Sequence, residues 1–544
     1  MRLRESYYYT ISSSSSCIFN IESLDYDYYE SRLPTDNCDF KLKDKMDFSK
    51  TVKDLRQSFA SGKTRSNEWR TAQLKGVIKL IQENEEVISE ALYKDLHKNK
   101  AEAAIMELIL CVNDAVNAIN SLDSWTKPEK VSKGALYLMD NAYIIKEPLG
   151  VALIIGAWNY PIQLILLPLI GAIAAGNCAL IKPSEVSEAS ARFIEEYIPK
   201  YLDKDCFKVI NGGVAETTAI LEQRFDTIFY TGNSQVAKIV MAAAAKNLTP
   251  VILELGGKSP VYIDTKTDLA VVARRLCWGK FCNAGQTCIA PDYVMCPKEI
   301  QDELIEKIKA SVEEFYTADP KTSDSYGRIV NNRHFTRIQR LKQGSTVAVG
   351  GEEDEKENYI SPTVLRDVKL TDTVMQDEIF GPLLPIVPVK DHTEAIDIIN
   401  TREKPLALYV FTKNSKISQE FCDRTSSGAI VVNDTVVHGG LPTLPFGGVG
   451  NSGLGSYHGK FSFNAFSHDK PVLEKSLAMD SVNNIRYPPY TDKKLGWVKW
   501  IMTKKPKKQG MLAFFPFVAI GVIFSFMFKV IGVGAESINT KKQL

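Results

Sequence analysis

Thr227-Ile228-Phe229-Tyr230-Thr231-Gly232-Asn233 leads, through the periodic stretch 235–246, to Val251-Ile252-Leu253-Glu254-Leu255-Gly256-Gly257-Lys258. Two short apolar runs with β-branched and aromatic residues flank a helical pattern, which describes a strand, a crossover helix and a second strand parallel to the first. Such crossovers place helices on the sheet faces, so the strands between them are apolar on both sides. Gly232 stands where the first strand turns into the helix, and Glu254 stands where the second strand ends.

The same alternation extends in both directions. Apolar runs at 151–157, 178–181 and 207–210 precede this unit, and a second series lies near Val261, Tyr293, Pro385, Leu408 and Ile430, with helices over 269–281 and 300–315. Upstream, Leu74, Val77, Ile78 and Ile81 recur at spacings of three and four, predicting a long helical region from Met46 to about Trp125. The fold class is therefore α/β, with two doubly wound, mostly parallel domains and Glu254 at their junction. Sheets of this kind bind ligands beyond the carboxyl ends of their strands, where the amides of a helix start can face a pyrophosphate.

Composition narrows the function classes. With 544 residues the chain can bury a large core and should form more than one domain. A net charge of +1, without an arginine-rich stripe, offers no general attraction to nucleic acid. The ten cysteines include no C-x-x-C pair, so free thiols in a reducing compartment fit better than disulfides or zinc.

Chemistry concentrates in the loops after the two central strands. Gly285-Gln286-Thr287-Cys288 sets a thiol beside Ala284 and Gly285, where a substrate can approach, and Glu254 lies 34 residues earlier. A carboxylate ending an apolar strand can hold a raised pKa suited to proton removal. Together they describe covalent thiol catalysis with a separate base. A buried structural cysteine and a plain strand-ending carboxylate are the alternative, as is a Cys-His hydrolase drawing on His438, His458 or His468.

Trp158-Asn159-Tyr160-Pro161, Lys182-Pro183-Ser184-Glu185, Tyr230-Thr231-Gly232-Asn233, the Glu254 and Cys288 segments, Glu378-Ile379-Phe380-Gly381-Pro382 and Pro445-Phe446-Gly447-Gly448 occur in one order and spacing. From roughly Lys53 to Leu477 the chain resembles the aldehyde dehydrogenase superfamily. Lys258-Ser259-Pro260, Trp278-Gly279-Lys280-Phe281 and Tyr457-His458-Gly459-Lys460 look like its class 3, the fatty aldehyde dehydrogenase branch. The resemblance implies NAD(P)-dependent oxidation of medium- to long-chain aliphatic aldehydes to acids, in a homodimer.

By the same resemblance Cys288 is the nucleophile, Glu254 the base that activates water, and the Asn159 side-chain amide an oxyanion donor. Lys182 and Glu185 contact the adenosine ribose, Gly232 borders the pyrophosphate, Glu378 binds the nicotinamide ribose and Phe380 flanks the ring. A carboxylate at Glu185 favours ribose hydroxyls over a 2′-phosphate, making NAD the first cofactor with NADP possible. Residues 182–185 also suit a plain helix start, with Ser184 as cap. Ala237 stands where the family often has a second glycine. A membrane-tethered scaffold of the same fold without activity, or a thiol esterase, are the other readings.

The expected organisation is a cofactor-binding domain over 46–255 with bridging strands near 130–150, a catalytic domain over 256–435 and a return to the core and bridging element over 436–485. Residues 1–45, with Tyr7-Tyr8-Tyr9 and five serines from Ser12 to Ser16, predict a disordered extension; translation from Met46 is the alternative. Residues 511–528 carry no charge and include six phenylalanines. At ~1.5 Å per residue they approach the ~30 Å of a hydrocarbon core. We read 511–534 as a transmembrane anchor and 535–544 as a tail; a buried core helix is the alternative. Lys504, Lys505, Lys507 and Lys508 would stay cytosolic, and Trp497 and Trp500 could lie in the interface within an amphipathic basic stretch over 486–510. The expected location is the endoplasmic reticulum or another intracellular membrane, with the catalytic domain in the cytosol.

Overall fold

Alternating apolar runs and helices become two mostly parallel sheets in the computed structural model, which describes residues 47–503 apart from 135, 136, 138, 139 and 479. Everything below belongs to the unit Phe48–Leu544. The first sheet has the order Gly453–Leu454, Val251–Glu254, Thr227–Thr231, Val151–Ile155, Cys178–Lys182, Phe207–Val209. Five strands run parallel, and only Gly453–Leu454 is antiparallel, against Val251–Glu254. Chain order reverses between Val151–Ile155 and Thr227–Thr231, which are hydrogen-bonded neighbours. That switch point opens a crevice at their carboxyl ends, and the loops carrying Asn159 and Gly232 leave the sheet there.

The second sheet has the order Thr346–Val349, Thr363–Arg366, Leu383–Val389, Tyr293–Pro297, Pro260–Ile263, Ala407–Phe411, Ala429–Val432. Its one antiparallel pair is at the Thr346–Val349 edge. A third, three-stranded sheet pairs Asn141–Pro148 with Ser467–Glu474 along eight residues, Glu129–Lys130 lying on the other side. The strands Val151–Ile155, Cys178–Lys182 and Thr227–Thr231 are buried at every position, as sheets covered on both faces require. Helix Gln163–Ala175 is buried almost all round, beneath Ile109–Thr126 and Gly459–Ala465.

Most expected strands are present to within a residue or two. The run 151–157 stops at Ile155, because the Gly156 amide turns to Lys182 O at 3.1 Å and the chain leaves the sheet. The helical region to Trp125 is not continuous. It breaks after Ala60, Glu83 and Leu96, with Gly62 and His97 left-handed and Asn99 capping the next helix through the Ala101 amide. A wide turn, Ala104–Leu108, then interrupts the last segment.

Residues 1–45, read as an extension, and the anchor and tail over 511–544 lie outside the described residues. Among the described residues no helix is long and apolar enough to cross a membrane. Of the stretch 486–510, helix Asp492–Met502 is described, with Leu495, Trp497 and Trp500 exposed.

Candidate active site

Helix Leu269–Phe281 ends in a turn in which Asn283, Ala284 and Gly285 are all left-handed, at φ 53°, 50° and 76°. This backbone costs roughly 1–2 kcal/mol for each non-glycine residue, so neighbouring groups must hold it. Glu102 Oε1 accepts the Asn283 amide at 2.8 Å, and Asn283 Nδ2 donates to Asn159 O at 2.8 Å. Gln286 is buried and fully engaged: Nε2 donates to Asn283 O and Arg328 O, and Oε1 accepts the Val330 amide. At Gly285 a Cβ would lie 2.3 Å from Gly381 O, so the turn admits only glycine.

Cys288 emerges from this turn half-buried. It is the one cysteine among the described residues that lines the large cavity; Cys277 and Cys282 are buried in the core. Burial pushes its thiol up to about 12, the nearby Glu378 and Glu254 carboxylates adding to the shift and the Cys288 and Ile289 amides opposing it.

Glu254 ends its strand with 3% of its surface exposed, and neither carboxylate oxygen accepts a hydrogen bond from any described residue. Desolvation holds its pKa well above the usual carboxylate range. Glu378 sits against Gly256, where a Cβ would lie 2.2 Å from its Oε2, and is pushed up to about 8 by burial and then by Asp292. Its loop is tied from behind. Lys258 Nζ pairs with Asp292 at 2.6 Å and donates to Val374 O and Asp377 O; Asp292 accepts the Ile379 amide; Arg337 donates to Glu378 O and Ile379 O.

Asn159 is buried, and its Nδ2 donates to Gln286 O at 3.0 Å. A primary amide has two N–H donors, so this bond fixes the group and leaves one hydrogen for the cavity. Trp158 meets Phe380 edge-on at 5.3 Å, and Tyr160 Oη lies 2.6 Å from Thr287 Oγ1.

Lys182 closes its strand and pairs with Glu185 at 2.6 Å. The Gly232 amide donates to Glu254 O at 3.0 Å, and Asn233 Oδ1 caps helix Ser234–Ala245 through the Val236 amide. Ala237 is buried within that helix, whose start is regular without a second glycine.

One cavity of about 820 Å³ is lined by Asn159, Lys182, Glu185, Gly232, Glu254, Cys288, Glu378 and Phe380 together. All eight residues singled out from the sequence thus meet in one space. Its lining is of two kinds. One part of the lining is a lysine–glutamate pair with a helix start at Gly232 and Asn233; another is a thiol with two desolvated carboxyls near enough to raise its pKa. The first suits a dinucleotide and the second a carbonyl carbon.

Comparison with known proteins agrees with this architecture. The aldehyde dehydrogenase family matches residues 28–472, a span that starts upstream of Lys53. The chain is 52% identical to aldehyde dehydrogenase family 3 member A2 of Macaca fascicularis over 84% of its own length and 94% of the relative's. It is 50% identical to family 3 member B1 of Rattus norvegicus, over 84% and 98%. The solved substrate-bound state of Staphylococcus aureus AldH is 42% identical with a TM-score of 0.81, covering 84% of this chain and 99% of that one. The chain belongs to the aldehyde dehydrogenase family.

Membership makes it an aldehyde dehydrogenase with a nicotinamide dinucleotide, NAD or NADP, as cofactor. The family 3 names agree with the class 3 likeness of its motifs. Several residues that build this site carry no role in the sequence analysis above: Lys98, Glu102 and Glu107 under the Asn159 loop, Gln286 inside the turn that leads to Cys288, and Asp292 and Arg337 behind Glu378. Gln286 lies in the Gly285-Gln286-Thr287-Cys288 segment and is the one of them with a signal in the sequence; the others act through partners distant in sequence.

Proposed function

We propose that this aldehyde dehydrogenase oxidises medium- to long-chain aliphatic aldehydes to carboxylic acids through a thioester on Cys288. The reading rests on the single cavity that joins a dinucleotide-type cradle to a thiol and a desolvated carboxyl. Cys288 loses its proton to solvent water, and its thiolate sulfur bonds to the carbonyl carbon as the C=O π bond opens onto oxygen. The oxygen that gains charge is met by the free hydrogen of Asn159 Nδ2 and by the Cys288 amide. Lys182, Glu185 and Glu378 would hold the ribose hydroxyls, with Gly232 and the start of helix Ser234–Ala245 at the pyrophosphate and Phe380 beside the ring. A bound dinucleotide would supply the acceptor for the hydride, whose departure from the carbon re-forms the C=O bond and leaves a thioester on Cys288. Glu254 then takes a proton from water, the water oxygen bonds to the acyl carbon, the carbon–sulfur bond breaks, and the acid leaves.

A fatty chain is supported by the apolar side of the cavity. Ile105, Met106, Leu110, Val437 and Gly440 all line it, a Cβ on Gly440 would lie 3.5 Å from Leu110 Cδ2, and Ile105 and Val437 are also exposed to solvent. Exposed Trp497 and Trp500, ahead in sequence of a lysine-rich stretch and the uncharged run 511–528, support a membrane-tethered enzyme on the endoplasmic reticulum or another intracellular membrane. The strand Ser467–Glu474, paired on one side only among the described residues, supports a homodimer.

NAD(P)H formation from hexadecanal, set beside acetaldehyde and beside ester hydrolysis without cofactor, tests the substrate class. The reading expects a kcat/KM for hexadecanal at least about tenfold above that for acetaldehyde, each buried CH₂ contributing ~0.8 kcal/mol. Equal values would remove the fatty chain, and ester hydrolysis alone would point to the thiol esterase. Asn159→Ala should lower kcat by ~10²–10³ while the protein still melts cooperatively. Glu185→Gln should raise the NADP-to-NAD ratio of kcat/KM about tenfold, since the carboxylate that repels a 2′-phosphate is gone. An unchanged ratio would mean that Lys182 already neutralises it.

A further inference from the structure

Beneath the Asn159 loop lies an ion pair that touches neither the thiol nor the cofactor cradle. Lys98 and Glu107 are both fully buried, with Nζ 2.5 Å from Oε1. The ammonium spends its remaining donors on the loop: it donates to Asn159 O at 3.2 Å and sits 4.2 Å over the Tyr160 ring. Glu107 Oε2 accepts the amides of Ile162 and Gln163 at 3.0 and 3.1 Å, where helix Gln163–Ala175 begins and amides have no partner within the helix. One ion pair therefore grips the chain at the Asn159 carbonyl and again at the Ile162 and Gln163 amides just beyond it. The wide turn Ala104–Leu108 brings Glu107 to this position.

Stability is a weak reason for such a pair, because two apolar residues of similar volume often serve a core as well as a buried salt bridge. What charged hydrogen bonds add is direction. Asn159 O also accepts Asn283 Nδ2, so the carbonyl gripped by Lys98 is joined to the nucleophile turn, which Glu102 holds through the Asn283 amide. We infer that the Lys98–Glu107 pair is a positioning device that sets the Asn159 side-chain amide relative to Cys288, and that it acts on the reaction through Asn159. This inference rests on the role of Asn159 proposed above.

Lys98→Met removes the ammonium and keeps the stem, and Glu107→Gln removes the charge while leaving an acceptor for the two amides. A displacement of ~1 Å at a reacting group costs about 10²-fold. The full-length Lys98→Met enzyme is expected to lose roughly 30- to 100-fold in kcat for aldehyde oxidation, by the same principle. KM for the aldehyde and the rate of Cys288 alkylation by iodoacetamide, which needs no oxyanion donor, should each change less than about threefold. In an Asn159→Ala background, adding Lys98→Met should cost less than about threefold, because residues that act as one unit are not additive.

If Lys98→Met does not fold, Glu107→Gln carries the same comparisons. A folded variant with kcat within threefold of the parent, or one that loses the same factor with Asn159 absent, overturns the inference. Full kcat in Asn159→Ala alone would instead overturn the oxyanion role of Asn159.

Discussion

Cys288→Ala is expected to abolish NAD(P)H formation from aldehydes, by at least ~10⁴-fold, while the protein remains folded and still binds dinucleotide. No other cysteine among the described residues faces the cavity, so no second thiol can take over. The side chain is half-buried and Ala is smaller, so the fold should accept the change with a modest loss of stability. Dinucleotide binding by fluorescence and a cooperative melt separate loss of chemistry from loss of structure. Turnover above a hundredth of the parent rate would remove the thioester pathway. The thiol also carries a pH signature. Burial and two carboxyl neighbours hold it near 12, so in the free enzyme iodoacetamide alkylation should climb about tenfold per pH unit from pH 7 to 10. A plateau near pH 7 would mean that some group lowers the thiol pKa in the resting enzyme.

Glu254→Gln should reduce steady-state turnover by ~10²–10⁴ yet leave the first half of the reaction intact. Mixing the variant with aldehyde and cofactor should then produce one equivalent of NAD(P)H and stop, with the acyl group retained on Cys288 and visible by intact mass. Desolvation raises the Glu254 pKa well above the usual carboxylate range, and only the deprotonated form can accept a proton from water. In the parent enzyme thioester hydrolysis should therefore rise with pH toward the raised pKa of this carboxyl, and in the variant that limb should vanish. Absence of the initial burst would shift Glu254 to an earlier step, deprotonation of the thiol. Unchanged turnover would leave the buried, unpartnered carboxyl without a role in the reaction.

Much of the scaffold that positions these groups is legible in the chain because its signals are local. A strand covered on both faces must be apolar along its whole length, and a crossover helix must show its own period, so 227–254 announces a parallel unit before any contact is known. Helix Leu269–Phe281 begins and ends where its pattern does. The loops follow from the same cause. Gly232 stands where a strand becomes a helix, and Gly285 where only a residue without Cβ clears Gly381. Other features leave almost no trace. The strand Gly453–Leu454 is two residues long and exists because Glu254 and Leu253 lie beside it. The breaks in the first helical region depend on single residues such as His97, which adopts a left-handed backbone.

By itself, then, the sequence determined the fold class and the carboxyl-end loops, since backbone period and glycine punctuation act over a few neighbours, and its resemblance to aldehyde dehydrogenases named eight residues worth placing in them. Tertiary structure alone decided which groups lose water and which find partners. Among the described residues no donor reaches the Glu254 carboxylate, Lys98 and Glu107 meet beneath Asn159 from about sixty and fifty residues before it, and Lys258 pairs with Asp292. Desolvation and pairing depend on what surrounds a side chain in three dimensions, and no window along the chain contains those surroundings.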